Sequence, residues 1–174
     1  VIEGEVARIK SINIMGNEAF SDADLLEKFE LHSTSAWRFF QSSDRYSKQQ
    51  LFGDLEGLTS YYQDRGYLRF NIDSVQVALS DDRKDIYVTV NVNEGAQYKI
   101  KGYRLLGDSP VPESVLRELV TIEKGEVFSR KRATESSNKM SARLSDEGFA
   151  FAKVSPLPDI DDTTRDVEVS FLVE

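Results

Sequence analysis

Two halves of the chain carry the same succession of sequence signals, and this internal repeat constrains the fold more than any other feature. Each half begins with an alternating strand pattern, continues through two helical patterns and ends with two strand patterns, which is the order β-α-α-β-β. Both long helical patterns end at a glycine followed by an aromatic residue, Gly66-Tyr67 in the first half and Gly148-Phe149 in the second. The repeat predicts two small units, residues 1–95 and 96–174.

Capping residues indicate where the helices begin. Ser21 and Ser47 precede helical patterns in the first half, and each is followed three residues later by a side chain that can complete a capping box. Ser129 has the same place before the long helix of the second half. We expect the first long helix to start after Ser47, and residues 31–46 to form an insert that the second half lacks.

Strand pairing follows from the element order. The last strand of each unit must pair with its hairpin partner and with the first strand, so it lies at the centre of a three-stranded sheet. The first and last strands then run parallel, and the sheet is mixed. The predicted fold class is α+β, with two antiparallel helices covering one face of each sheet. In this topology the second strand of each unit is an edge.

The strand pattern at residues 67–79 changes phase halfway along its length. Phe70 and Ile72 fall on one parity, whereas Val75, Val77 and Leu79 fall on the other. A β-bulge at residues 73–74 inserts one unpaired residue and produces such a shift. The alternative is that both faces of the second half are partly covered.

An edge strand of this kind has two possible roles. Its unpaired backbone groups can receive a strand from a partner, and alternate side chains then confer selectivity. Alternatively, the bulge and charged residues such as Arg69 and Asp73 deter strand pairing. In the second unit the equivalent strand contains Pro156 and Pro158, which lack N–H donors. We expect that strand to extend only to about Val154, and its edge to be the weaker docking surface beyond that residue.

Composition excludes several functions. A formal net charge of −8 opposes binding to nucleic acid or to anionic lipid. The chain has no cysteine and one histidine, so neither a thiol nucleophile nor a metal site is expected. The acidic runs at residues 81–82 and 159–162 are typical of hairpin turns. No apolar run is long enough to span a bilayer. Because the chain starts without Met and stops directly after a strand pattern, we interpret it as a piece of a longer protein.

Four runs of the sequence are similar to POTRA domains, the periplasmic modules of proteins that assemble outer-membrane β-barrels in Gram-negative bacteria. The runs are Gly53-Asp54-Leu55-Glu56, Ser60-Tyr61-Tyr62-Gln63-Asp64-Arg65-Gly66-Tyr67, Arg69-Phe70-Asn71-Ile72-Asp73-Ser74 and Ile86-Tyr87-Val88-Thr89-Val90-Asn91-Val92-Asn93-Glu94-Gly95. The similarity is dense over residues 9–95 and thinner afterwards, and it is to the third and fourth domains of a tandem array of five. The POTRA fold has the element order derived above.

The resemblance implies a non-enzymatic scaffold in the periplasm, with no cofactor and no metal. POTRA domains hold accessory lipoproteins of the assembly machinery, here BamB-like ones above all, and receive unfolded outer-membrane protein precursors, in both cases by adding a strand to a sheet edge. It also implies that the full-length protein ends in an outer-membrane β-barrel. The residues expected to bind partners on the edge strand are Arg69, Asn71, Asp73, Ser74, Val75, Val77 and Leu79.

A second candidate surface is the aromatic cluster Trp37, Phe39 and Phe40 in the insert of the first unit. Aromatic residues anchor interfaces, but such a cluster also packs a loop onto its own domain. Two other functional classes remain open. A POTRA module of two-partner secretion, autotransporter assembly or cell division would have the same fold with different partners. An α+β nucleic-acid module would need a basic face and a Gly-x-x-Gly loop, which the sequence lacks.

Overall fold

The computed structural model describes residues 8–29 and 44–174. The chain divides into two compact units. The first comprises Val1–Tyr62 and Arg69–Gly95, and the second comprises Gln63–Leu68 and Ala96–Glu174. The short segment Gln63–Leu68 therefore belongs in space to the second unit, which a boundary drawn along the sequence does not show.

The described residues of the first unit form one three-stranded sheet and two helices. Its elements are β1 (Arg8–Met15), α1 (Asp22–Leu26), α2 (Asp44–Gln63), β2 (Asn71–Leu79) and β3 (Asp85–Asn93). The strand order is β1-β3-β2, with β3 parallel to β1 and antiparallel to β2. As predicted, the last strand is central and the second strand is an edge.

The second unit repeats this arrangement. Its elements are β4 (Lys99–Leu106), α3 (Glu113–Arg117), α4 (Arg130–Asp146), β5 (Val154–Asp161) and β6 (Asp166–Val173). The order is β4-β6-β5, and β6 is parallel to β4 and antiparallel to β5. The predicted α+β class with two mixed sheets is confirmed.

The central strands supply the core of each unit. On β3 the alternate residues Val88, Val90 and Val92 are buried, and on β6 the residues Val167 and Val169 are fully buried. Burying a side chain of this size contributes about 1.5–3 kcal/mol relative to leaving it exposed. The period-2 pattern therefore fixes which face of each sheet meets the helices.

Serine caps begin two of the helices as predicted. The N–H of Asp24 donates to the hydroxyl of Ser21 at 3.2 Å, and the N–H of Arg132 donates to the hydroxyl of Ser129 at 3.3 Å. The predicted start of the first long helix is wrong, because α2 begins at Asp44. A capping sequence favours a helix start only weakly, and serine is tolerated inside a helix that begins earlier.

The predicted end of the strand near Val154 is also wrong. β5 starts at Val154 and continues through Pro156 and Pro158 to Asp161. Proline interrupts a ladder only where its missing N–H would have joined the neighbouring strand, and it is tolerated where that position faces away from the sheet.

Gly16 turns the chain after β1 at a point of close contact with β3. Its φ is +94°, and a Cβ at this position would lie 2.2 Å from the carbonyl oxygen of Val92. Gly107 has a φ of +88° and would place a Cβ 2.3 Å from the carbonyl oxygen of Val173. Both units therefore require glycine at the same turn.

Glu94 connects the end of β3 to two other parts of the first unit. Both of its carboxylate oxygens lie 3.1 Å from the backbone nitrogen of Ala19, which donates to them. The hydroxyl of the buried Tyr62 donates to Oε1 of Glu94 at 2.7 Å. One carboxylate thus fixes the loop after β1 and the end of α2 against β3.

Candidate functional site

The candidate docking edge is β2, one of the two edge strands of the first sheet. It begins at Asn71 rather than at residue 67. Before the strand, the N–H of Leu68 donates to the carbonyl of Gly66 at 3.1 Å, which turns the chain. Phe70 then stacks on Tyr62, with ring centroids 4.1 Å apart. Alternation alone did not reveal this late start, because a buried aromatic residue also fits the strand pattern.

Arg69 is the one predicted edge residue that the structure removes from the strand. It precedes β2, and its Cβ lies beside the backbone of Gly95, where an added Cβ would be only 3.2 Å away. The prediction that Arg69 is part of the edge strand is therefore wrong.

The bulge predicted from the phase change is confirmed. The register of β2 against β3 shifts directly after Ile72 and leaves Asp73 as the extra residue. Before the shift Ile72 lies opposite Val92, and after it Val75 lies opposite Val90. Residues opposite each other in an antiparallel pair point to the same face. The bulge therefore keeps the apolar residues of both halves of β2 on the core side of the sheet.

Hydrogen bonds of the hairpin show which backbone groups lie on the free edge. The N–H of Ser80 donates to the carbonyl of Asp85 at 2.8 Å. In an antiparallel ladder, hydrogen-bonded pairs alternate with pairs whose N–H and C=O groups point away from each other. Counted back from Ser80, the residues whose N–H and C=O groups point outward are Leu79, Val77 and Val75.

The side chains of the same three residues are exposed. Val75 is 37% exposed, Val77 is 62% exposed and Leu79 is 50% exposed. Their partners on β3 include the buried Val88 and Val90, so all of these side chains lie on the core side of the sheet. The apolar face of the sheet thus continues to the edge, where its side chains are only partly covered. The result is an apolar stripe beside unpaired backbone groups.

Polar contacts hold the bulge on the opposite face. The side-chain amide of Asn91 donates to the hydroxyl of Ser74 at 2.9 Å. The side-chain amide of Asn71 donates to the carboxylate of Asp73 at 2.8 Å. The extra residue is therefore fixed at one end of the edge, and the strand beyond it is regular.

Six residues of the sequence-based set lie on β2 and are brought together at this edge. They are Asn71, Asp73, Ser74, Val75, Val77 and Leu79. The backbone of Ser74 is directed toward β3 instead of the free edge. Sequence reasoning missed Ile72, although the bulge interpretation itself carried the signal, since it places Ile72 on the same face as Val75.

The hairpin turn next to the edge is organised by Asp82. The hydroxyl of Ser80 donates to its carboxylate at 2.6 Å, and the backbone N–H of Lys84 donates at 3.1 Å. These two hydrogen bonds hold the pKa of Asp82 below its usual value. The acidic turn thus has the structural role that the sequence predicts for it.

The second predicted surface, Trp37, Phe39 and Phe40, lies outside the described residues. Within residues 8–29 and 44–174, no three His, Cys, Asp or Glu side chains are grouped so that they could hold a metal ion. In the same part of the chain no helix has the length and apolar character needed to cross a bilayer.

Sequence comparison identifies relatives over nearly the whole chain. The family model for POTRA, described as surface antigen variable number repeat, matches residues 7–95 and 98–174. The outer membrane protein assembly factor BamA of Buchnera aphidicola is 31% identical over 172 residues, which is 99% of this chain and 28% of that protein. BamA of Neisseria meningitidis is 28% identical over 167 residues, which is 94% of this chain and 21% of that protein. The chain thus spans less than a third of the length of these relatives.

Structure comparison gives the same result. The crystal structure of Haemophilus influenzae BamA POTRA3-5 superposes with a TM-score of 0.80 and 27% sequence identity. The match covers 97% of this chain and 66% of that one. Both units of the chain are therefore similar to consecutive domains of a solved tandem array.

Proposed function

The chain belongs to the POTRA family, and on that premise we propose that it is a periplasmic scaffold of outer-membrane β-barrel assembly that docks partners by strand addition at the free edge of β2. The proposed partners are accessory lipoproteins of the assembly machinery, BamB-like ones above all, and unfolded outer-membrane protein precursors. The proposed role is non-enzymatic, and within the full-length protein these domains are the third and fourth of the periplasmic array.

One observation carries the proposal. Val75, Val77 and Leu79 combine outward backbone N–H and C=O groups with exposed apolar side chains on the core side of the sheet. An incoming strand forms hydrogen bonds with the outward N–H and C=O groups and buries apolar area against the exposed side chains. Burial of apolar area contributes about 25 cal/mol per Å². A partner with alternating apolar and polar residues matches both requirements, since its apolar side chains would cover the stripe.

The relatives support the choice of partners. Proteins named outer membrane protein assembly factor are 28–31% identical to this chain over most of its length. Unfolded barrel precursors are rich in sequence segments that alternate apolar and polar residues, which is the pattern that the edge of β2 requires.

Replacing Val77 by proline tests the proposal. The substitution removes one outward N–H and places a ring at the edge, whereas the bonds between β2 and β3 stay intact. We expect binding of a purified accessory lipoprotein, and of a precursor peptide with alternating apolar residues, to weaken about ten-fold in fluorescence titrations, because a lost hydrogen bond costs about 0.5–1.5 kcal/mol and the ring adds a steric cost.

The matched control is Val77→Thr, which keeps both the N–H and the β-branched shape. It should bind both partners within about three-fold of the unchanged chain, since it loses only part of the apolar contact. The proposal is contradicted if Val77→Pro binds both partners as tightly as the unchanged chain does and circular dichroism shows an intact fold.

A further inference from the structure

The second unit has an edge strand equivalent to β2, and its backbone groups can be assigned in the same way. Lys153 and Glu174 exchange two hydrogen bonds, of 2.8 Å from the N–H of Lys153 and 2.9 Å from the N–H of Glu174. Because hydrogen-bonded and outward pairs alternate along an antiparallel ladder, the outward positions of this strand follow directly. They are Val154, Pro156, Pro158 and Ile160.

Three of these four outward positions offer no N–H to a partner. The N–H of Val154 donates to the hydroxyl of Ser141 on α4 at 2.9 Å. Pro156 and Pro158 have no N–H. Among these four positions, only Ile160 keeps a backbone N–H on the edge that no hydrogen bond of the described residues uses. The free edge of β5 is therefore a row of acceptors.

A lack of space beside β5 is not what prevents a strand from docking there. A groove of 490 Å³ runs along the core side of β5, within the second unit. Its walls include Pro156, Pro158 and Ile160 from the strand, and Ala133 and Thr134 from α4. The core side of β5 is therefore not filled beside these residues, and the missing donors are the feature that blocks this edge.

In the part of the first unit that the structure describes, each of these devices is absent. Thr59 stands at the same distance before Gly66 as Ser141 stands before Gly148. Its hydroxyl donates to the carbonyl of Leu55 in its own helix at 3.0 Å, and within the described residues no hydrogen bond joins Thr59 to β2. The positions equivalent to the two prolines carry residues with an N–H, because Val75 and Val77 occupy them.

We propose that Ser141, Pro156 and Pro158 are specificity determinants that exclude strand addition at β5, so that of the two equivalent edges, β2 and β5, only β2 docks a partner strand. The excluded ligand is an extended polypeptide strand with alternating apolar and polar residues. The inference rests on the proposed function, because it concerns where along the chain the same kind of ligand is accepted. It predicts that restoring the donors converts β5 into a second docking edge.

The test replaces Pro156 and Pro158 by valine in the full chain. The probe is a fluorescent ten-residue peptide in which Val and Thr alternate, titrated at protein concentrations where light scattering shows a monomer. We expect one peptide per unchanged chain and two per P156V/P158V chain.

We also expect P156V/P158V, introduced together with Val77→Pro, to restore the binding that Val77→Pro weakens. Adding Ser141→Ala to the double variant should tighten the new site several-fold, because it frees the N–H of Val154.

Leu157→Val is the matched control, since the N–H of Leu157 faces β6 and the substitution adds no outward donor. It should bind one peptide. A second variant, P156A/P158A, restores the same donors without β-branched side chains and should also bind two. One peptide per chain in both proline variants, with intact circular dichroism, would overturn the inference. If the unchanged chain binds no peptide and Val77→Pro has no effect, the proposed function fails. In that case, one peptide bound by P156V/P158V would still support the role of the prolines. No peptide bound by P156V/P158V would overturn the inference as well.

Discussion

Val77 of β2 and Pro158 of β5 occupy the same place in the two sheets, opposite Val88 and Val169 of the central strands. Both have backbone groups that face away from the sheet. The second unit therefore shows that proline is compatible with folding at this position.

Proline at Val77 should consequently cost little stability. We expect Val77→Pro to lower the free energy of unfolding by no more than about 1 kcal/mol, because no ladder hydrogen bond is lost. Gln76→Pro should lower it by at least about 2 kcal/mol, since Gln76 pairs with Thr89 at a position where the N–H joins β3. Urea denaturation of both variants measures the difference. Equal losses would show that the outward assignment is wrong.

Gly16 should not tolerate a side chain. We expect Gly16→Ala to destabilise the first unit by about 2 kcal/mol or more, because of its positive φ and the collision with the carbonyl of Val92. Gly53→Ala is the control within the same unit: Gly53 lies in α2, and a Cβ there meets no atom within 4 Å. That control should gain up to about 1 kcal/mol from helix propensity. Chemical denaturation followed by circular dichroism compares the two, and a neutral Gly16→Ala would contradict the close approach.

The hydrogen bond from Tyr62 to Glu94 should be measurable by a double-mutant cycle. Tyr62→Phe and Glu94→Gln should each cost about 1 kcal/mol, because one removes the hydroxyl and the other removes the charge of the acceptor. The combined variant should cost less than the sum, with a coupling energy of about 0.5–1.5 kcal/mol. Strictly additive losses would mean that the two groups do not interact in solution.

Asp161 should make stability depend on acidity. The backbone N–H groups of Thr164 and Thr163 donate to its carboxylate and hold its pKa below the usual value. A lowered folded-state pKa stabilises the fold above the unfolded pKa of about 4, and this stabilisation is lost as the pH falls through the folded pKa.

Asp161→Asn should therefore lower the Tm at pH 7, and the difference from the unchanged chain should shrink toward pH 2. Asp159→Asn, in the same acidic run, serves as the control. Thermal melts between pH 2 and pH 7 provide the comparison. A Tm difference that stays constant across this range would exclude the carboxylate as its source.

Much of this architecture could be predicted from the sequence because periodic burial and turn residues are local signals. The alternation of Val88, Val90 and Val92 marked the central strand, and the phase change around Asp73 marked the bulge. Both features depend on which face a residue presents, and period-2 patterns record that directly.

What the sequence did not predict depends on contacts between distant residues or on the direction of a backbone group. Phe70 stacks on Tyr62, and β2 starts only after it, at Asn71. The alternation of apolar and polar residues does not distinguish such a stacked ring from a residue of the strand. The continuation of β5 through Pro158 depends on which way its missing N–H points, and only the register of the ladder determines that.

The bulge at Asp73 also has a consequence for the history of the two repeats. The ladder of β5 and β6 runs without a shift, so the first unit has one residue more than the second between the glycine that follows its long helix, Gly66 or Gly148, and the regular part of its edge. A single inserted or deleted codon accounts for that difference in length. Such a change is tolerated at an outer strand because only one neighbour must adjust to it, whereas in β3, which is paired on both sides, it would misalign two ladders at once. Repeated domains of this type can therefore differ in length at an edge strand while the central strand stays constant.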